Sequence, residues 1–367
     1  MTKLYDNMGG NMTKTKLIAF YLPQFHQIPE NDKWWGEGFT EWVNTKKAVP
    51  LFKSQHQPKE PENENYYNLL DKNTQIWQSE LAKKYGIYGF CYYHYWFNGK
   101  LLLEKPMENM LENKDIDTKF CISWANEPWT RSWDGKSKEI LLDQNYGDRD
   151  DWENHINYLL KFFKDERYIK IGNRPILLIY RTSSIKNCEE MLELWNKRCK
   201  ESGIGNIYLV ETLNSFQKNG TLKNSDAYVE FEPMLTVRHY LPWYFQGYRY
   251  IKKLLKKVGI KALDRVSYDL VWQEAIYKER LYDKKTFFGA FVNWDNTARK
   301  KDNALILDDF SLEKFEKYLK QVVLESEKKD NEYIFINAWN EWAEGTYIEP
   351  DKKYGKGYLE RIRKIIK

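Results

Sequence analysis

Eight short apolar runs recur along the chain, at Leu17–Tyr21, Tyr88–Tyr93, Phe120–Trp124, Ile176–Tyr180, Ile207–Glu211, Ala227–Phe231, Phe287–Val292 and Tyr333–Ala338. Each is rich in Ile, Val, Phe or Tyr and mostly continuous rather than alternating, the pattern of strands covered on both faces. Segments with helical periodicity fall between them, most clearly Thr74–Tyr85, Trp152–Lys164, Glu189–Ser202, Ser311–Lys328 and Tyr354–Ile366. In the fourth of these, Ser311 precedes Glu313, Phe315, Leu319, Val322 and Val323, as in a capped amphipathic helix. Strands and helices alternating in this way predict an α/β fold. The specific expectation is a (β/α)8 TIM barrel, one domain with long βα loops over residues 16–367. An open doubly wound sheet is the alternative topology. Residues 1–15 are expected to form a disordered N-terminal extension, with Met12 a second candidate start.

Two long connections interrupt the alternation, Pro23 to Asn73 and Trp124 to Asp151. Loops of this length in a compact domain are usually functional or disordered, and their aromatic content argues for order. A third stretch, between Tyr240 and Glu279, contains IKKLLKKVGIKALDR. There Ile251, Leu254, Leu255 and Val258 share one helical face, with Lys252, Lys253, Lys256 and Lys257 elsewhere. A basic amphipathic helix of this kind can rest on an anionic membrane surface, and an ordinary surface helix reads the same way.

Composition narrows the function. The net charge of +5 is the small difference between 58 basic and 53 acidic residues. That balance is no nucleic-acid signature, which would need a clustered basic face. The 15 Trp and 27 Tyr are the unusual feature, and many fall in the loops after the strands, which suggests a site lined with flat rings. Four cysteines without CxxC spacing and five scattered histidines indicate neither a metal nor a disulfide framework, and no cofactor is expected. The N-terminus lacks an apolar signal core, and no run of about 18 apolar residues is present. These features lead to an expected cytoplasmic location, with peripheral contact at the inner membrane face left open.

In a barrel of this type, chemistry gathers where strands end. The stretch after the last strand, NAWNEWAEGTYIEP from Asn337 to Pro350, supplies Glu341, Glu344 and Glu349 among Trp339, Trp342 and Tyr347, together with Asn340. The other ends supply Tyr21; His94 and Trp96; Trp124, Asn126, Glu127, Trp129 and Arg131, followed by Trp133 and Asp134; Tyr180; Glu211; Glu230 and Glu232; and Trp294. Cleaving a glycosidic bond needs one carboxyl group to protonate the leaving oxygen and usually a second near the anomeric carbon. Sugar C–H faces stack on Trp and Tyr rings. A single Glu after a strand more often caps a helix or faces water. Two tryptophans interleaved with the acids argue against a plain solvated turn. Tyr21, Trp96 and Trp124 are expected to gather around Glu341 and Glu344.

On the motifs AFYLPQFHQIPENDKWWGEGFTEW, YGFCYYHYWF, SWANEPWTRSWDG and NAWNEWAEGTYIEP, the chain resembles the WbsX-like polysaccharide-biosynthesis family from about Leu17 to Tyr358. Through the last motif it is also similar to glycoside hydrolase family ninety-nine, the endo-α-mannosidases. The resemblance implies a barrel acting on an oligosaccharide or lipid-linked glycan in surface polysaccharide biosynthesis. By the same match, Glu341 would take the proton of a sugar 2-hydroxyl and Glu344 would serve the glycosidic oxygen as acid and then base. A 1,2-anhydro sugar would then open with net retention, as suits an α-mannoside. Glu344 would have to start protonated, which apolar and like-charged neighbours favour.

Three other readings remain. A retaining glycosidase could use Glu127 as acid/base and Glu341 as nucleophile, with Asn126 on the 2-hydroxyl. A sugar-nucleotide-dependent glycosyltransferase could use Asp115-Ile116-Asp117 as a metal motif, although no Gly-rich phosphate loop is present. A non-catalytic glycan-binding barrel would need rings and amides more than a close acid pair.

Overall fold

The computed structural model describes residues 13–131, 136–259 and 262–366. Eight strands close into a parallel barrel: β1 Lys16–Tyr21, β2 Ile87–Phe97, β3 Lys119–Trp124, β4 Arg174–Ile179, β5 Tyr208–Leu213, β6 Ala227–Glu230, β7 Lys285–Phe291 and β8 Tyr333–Asn337. Each pairs with its sequence neighbours, and β1 pairs with both β2 and β8, for example Tyr21 with Tyr92 and Ile18 with Phe335. The sheet therefore has no open edge, and the doubly wound alternative is excluded.

The outer helices are α1 Lys72–Tyr85, α2 Lys105–Glu112, α3 Arg149–Phe163, α4 Cys188–Glu201, α5 Met234–His239, α6 Trp243–Lys257, α7 Tyr268–Tyr277, α8 Leu312–Lys328 and α9 Gly357–Ile366; α1, α3, α4, α6, α8 and α9 fall where the periodicity places them, and α2, α5 and α7 are additional. Side chains accept from the free N–H groups at the starts of α1, α3, α7 and α8. Asp148 accepts from Asp150 N and Asp151 N ahead of α3, and Ser311 accepts from Lys314 N ahead of α8. The barrel interior is filled by rings from alternate strand positions. Phe20 lies 5.1 Å from Phe231 and 5.8 Å from Phe335, centroid to centroid. All four cysteines are buried and free.

The connection after β1 crosses the C-terminal mouth of the barrel. It carries short helices at Pro29–Trp35 and Glu41–Lys47. Glu62 N donates to Pro350 O at 3.0 Å, and Gln55 Nε2 donates to Asp295 Oδ2 at 2.9 Å, so this loop bridges the ends of β7 and β8. In the segment expected to be an extension, Thr15 is buried and its hydroxyl donates to Asn331 O at 3.0 Å, while residues 1–12 lie outside the described residues.

Candidate active site

The Asn337–Pro350 stretch is fixed over the mouth by backbone and side-chain bonds to other strand ends. Trp339 N donates to Phe20 O at 2.8 Å. Asn340 acts as a piece of extra strand, accepting from Leu22 N at 2.7 Å and donating to Leu22 O at 3.0 Å. Gly345 has φ of 66°, and a Cβ there would sit 2.8 Å from Asp295 O, so glycine alone fits this left-handed close approach. Beside it, Asp295 N donates to Glu344 O at 2.8 Å. Trp342 stacks on Tyr347 at 3.8 Å and donates to Glu349 Oε2 at 2.7 Å. Glu349 also accepts from Tyr67 Oη and Gln78 Nε2, each at 2.7 Å. Burial pushes Glu349 up to about 7, and these donors oppose the shift.

Above this platform opens a cleft of about 540 Å³. Glu341 and Glu344 line it, with Glu127, Trp129, Tyr180 and Trp294 from the ends of other strands. Arg299, on a short helix at Thr297–Lys300 after β7, joins the acids. Its Nη2 lies 2.8 Å from Glu341 Oε2, its Nη1 2.5 Å from Glu344 Oε1, and its Nη2 2.6 Å from Glu41 Oε1. Three carboxylates thus share one buried guanidinium. Burial pushes Glu341 up to about 8; Arg299 opposes the shift, while Glu344 and Glu41 add to it. Glu41 is likewise raised by burial against the pull of Arg299. Glu127 is raised by burial, opposed by Arg181 at 3.2 Å.

Several residues expected to face a sugar pack elsewhere. Successive strand side chains point to opposite faces. Tyr21, His94, Trp96 and Trp124 have the parity that turns them toward the helices. Tyr21 Oη donates to Gln78 Oε1 at 2.6 Å. His94 Nε2 lies 2.8 Å from His155 Nε2, and burial pushes His94 down to about 3. Trp96 stacks on His155 at 4.5 Å and donates to Asp151 Oδ1 at 3.0 Å. Trp124 meets His155 edge-on at 4.7 Å. The expectation that Tyr21, Trp96 and Trp124 gather around the acids therefore fails. The rings that do line the cleft include Tyr93 and Tyr95, from the opposite parity of β2, Trp35 from the short helix Pro29–Trp35, and Phe216 from the loop after β5.

The polar expectations divide in the same way. Asn126 is buried and bonds both backbone groups of Arg181, at 2.8 and 2.9 Å, which makes it a loop brace. Asn340 braces Leu22, and Tyr347 donates to Asp351 Oδ2 at 2.7 Å beneath Trp342, so neither lines the cleft. Arg131 lies 3.1 Å from Glu139 and 5.6 Å from the Trp35 ring, outside the cleft lining. Trp133 and Asp134 lie outside the described residues. Glu211 accepts from Thr182 and Ser225 hydroxyls at 2.6 Å each, and Glu230 and Glu232 both lie 2.8 Å from Arg280 Nη1. These three acids belong to the scaffold.

Asp115 and Asp117 precede β3, at the barrel end away from the cleft, and pair with Lys72 at 2.7 Å and Lys83 at 2.5 Å. Among the described residues no group of three or more His, Cys, Asp or Glu side chains is placed to hold a metal ion. Neither Arg299 nor Glu41 is marked out by the sequence pattern. Arg299 sits in the basic run ARKK, and only its pairing in space marks it out.

A closed (β/α)8 barrel with clustered carboxylates in a ring-lined cleft at its C-terminal mouth has the architecture of barrels whose sites are built from βα loops. More particularly, the chain belongs to the WbsX glycosyltransferase family: the family described as Glycosyltransferase WbsX matches residues 17–362. A relative named uncharacterized protein WxcX, from Xanthomonas campestris pv. campestris, is 34% identical over 356 residues, covering 95% of this chain and 49% of that protein. The chain thus spans about half the length of the curated relatives it matches. In fold it is similar to a glycoside hydrolase-like protein, with a TM-score of 0.59 and 11% identity over 100% of this chain and 98% of that one. It is also similar to the GH99 endo-alpha-mannosidase from Bacteroides thetaiotaomicron, with a TM-score of 0.56 and 14% identity over 97% of each chain. Among the described residues no helix is long and apolar enough to cross a membrane.

Proposed function

We propose that the cleft is the active site of a glycan-active enzyme that cleaves or transfers an α-linked, mannose-like sugar with retention through a 1,2-anhydro intermediate. The observation that carries this reading is the fork of Arg299, which holds Glu341 and Glu344 side by side at the floor of a ring-lined cleft. In this scheme Glu341 takes the proton of the 2-hydroxyl. A carboxylate whose proton affinity is raised to about 8 is a stronger base toward a hydroxyl than an ordinary one. The 2-oxygen attacks the anomeric carbon as Glu344 gives its proton to the departing glycosidic oxygen. Glu344 then takes a proton from the incoming water or sugar hydroxyl, whose oxygen attacks the anomeric carbon and opens the anhydro ring with the starting configuration restored, while Glu341 returns its proton to the released 2-oxygen. Tyr95, Trp129 and Trp294 offer ring faces or edges for the sugar on either side of the bond.

Opening by a second sugar instead of water would make the same site a transferase, in keeping with the family's description. A glycan carried on a lipid at the cytoplasmic membrane face is the substrate that fits both a biosynthetic role and a cytoplasmic location. The test is incubation with α-linked manno-oligosaccharides and lipid-linked glycans, with product configuration followed by proton NMR. Retention in the first product, lost in both Glu341→Gln and Glu344→Gln, supports the reading, and inversion overturns it.

A second reading is kept because Glu127 lines the same cleft and is buried enough to be raised. There Glu127 would be the acid/base and Glu341 the nucleophile. Azide rescue of Glu127→Gln would favour it.

A further inference from the structure

Helix α6 turns its apolar side outward. Trp243 is 85% exposed, and Tyr244, Tyr248, Ile251 and Leu254 are exposed along the same helix, with Val258 just past its end. At 3.6 residues per turn these six positions fall within an arc of about 140°. The helix meets the protein with the other side, through Phe245 and Lys252. Lys252 Nζ donates to Leu263 O and lies 3.7 Å from Asp264, and Arg249 Nε lies 3.2 Å from the same carboxylate. The face built from Ile251, Leu254 and Val258 in the sequence is therefore the solvent face, with Leu255 half-buried at its edge. An ordinary surface helix buries its apolar stripe; this one presents it, enlarged by three aromatic rings.

Two features identify the occupant. Trp243–Lys257 contains five basic residues and no carboxylate; with Arg249 and Lys252 turned to Asp264, Lys253, Lys256 and Lys257 still leave the segment net positive, which complements an anionic surface. Trp and Tyr rings are favoured at the headgroup level of a bilayer, where an apolar body and a polar edge are both satisfied. The helix also has a fixed relation to the cleft. It belongs to the connection leaving the C-terminal end of β6, whose earlier residues Phe231 and Met234 line the cleft.

We propose that α6 is a membrane-docking helix that seats the mouth side of the barrel on an anionic lipid surface. Docking stands on the geometry of the helix alone; only the further step, that the mouth then meets a lipid-borne glycan, rests on the proposed function.

Flotation with vesicles tests it without any need for activity. The chain should float with phosphatidylcholine vesicles containing phosphatidylglycerol, and roughly tenfold less with phosphatidylcholine alone. The triple variant Trp243→Ser, Ile251→Ser, Leu254→Ser should lose flotation by roughly tenfold or more while melting at the native temperature, since the three side chains are exposed. Trp243→Ser alone should give a smaller loss in the same direction, which keeps the test valid if the triple variant folds poorly. Failure to float with either vesicle, or flotation of a folded triple variant equal to the native chain, would overturn the proposal. So would a dimer in light scattering that the triple variant breaks, with no flotation, which would make a second copy the occupant. None of these outcomes touches the assignment of Glu341 and Glu344.

Discussion

Arg299 reaches Glu341 with Nη2 at 2.8 Å, and its neighbouring nitrogen reaches Glu344 at 2.5 Å, so one planar cation sets the positions of both acids. An arginine fork fixes direction as well as charge, which a lysine cannot reproduce. Glu41, brought in by the loop after β1, occupies the same guanidinium and completes the cluster.

Replacing Arg299 by Ala should cut activity by about a hundredfold or more, because two acids lose their common anchor. Arg299 holds the proton affinity of Glu341 down against burial, so its removal should raise that affinity further. If Glu341 must be ionised to act, the ascending limb of kcat/KM against pH should move to higher pH in the variant. Arg299→Lys should recover part of the pH position but little of the rate. A variant limb at lower pH would contradict the assignment.

In the native chain the first step needs Glu341 ionised while Glu344 holds its proton, so kcat/KM against pH should be bell-shaped, with one limb near the value of about 8 given to Glu341. A profile already flat between pH 6 and 9 would mean that Glu341 does not act as the base.

Stability should show the opposite trend in the same window. Glu341 and Glu349 bind their protons more tightly folded than unfolded, so their contribution is complete below about pH 4.5 and is lost as pH rises through about 7 to 8. The buried histidines work the other way. His26 and His56 are pushed down to about 4, so they stabilise above the ordinary histidine value of 6.5, and that contribution is lost as pH falls toward 4. The melting temperature should therefore peak near pH 6 and fall between pH 6.5 and 8. Glu341→Gln should flatten that fall, as scanning fluorimetry across pH would reveal. An unchanged slope would sink the electrostatic account of the pair.

Ring substitutions should separate cleft from scaffold. Tyr95→Ala and Trp129→Ala should raise KM several-fold or more with modest loss of stability. Trp124→Ala, deep between β3 and the helices, should cost about 3–5 kcal/mol in denaturant unfolding. Equal stability losses in all three would contradict the division of the rings into two faces.

The barrel was legible because each strand is an apolar run short enough to exclude a helix, and segments of helical periodicity fall between those runs. Ser311 caps where the pattern places it, whereas Asp148 caps its helix ahead of the expected start at Trp152. The NEWAEGT segment was legible for a different reason, as a dense packing of acids and rings after the last strand. Which rings face the sugar was not. Strands covered on both faces lose the polar–apolar alternation that reveals parity. In Cys91-Tyr92-Tyr93-His94-Tyr95-Trp96 every position carries a ring or a thiol, and the sequence gives no sign that Tyr93 and Tyr95 point in while His94 and Trp96 point out. Arg299 was hidden for another reason: its importance lies in contacts with Glu41, 258 positions away, and with the acids of the final loop.

The most direct measurement is a structure of the Glu341→Gln variant with an intact α-linked manno-oligosaccharide across the cleft. The account predicts Glu344 within about 3 Å of the glycosidic oxygen and the residue-341 amide beside the sugar 2-hydroxyl. Glu127 at the glycosidic oxygen, or a sugar bound with its 2-hydroxyl turned away from residue 341, would contradict it.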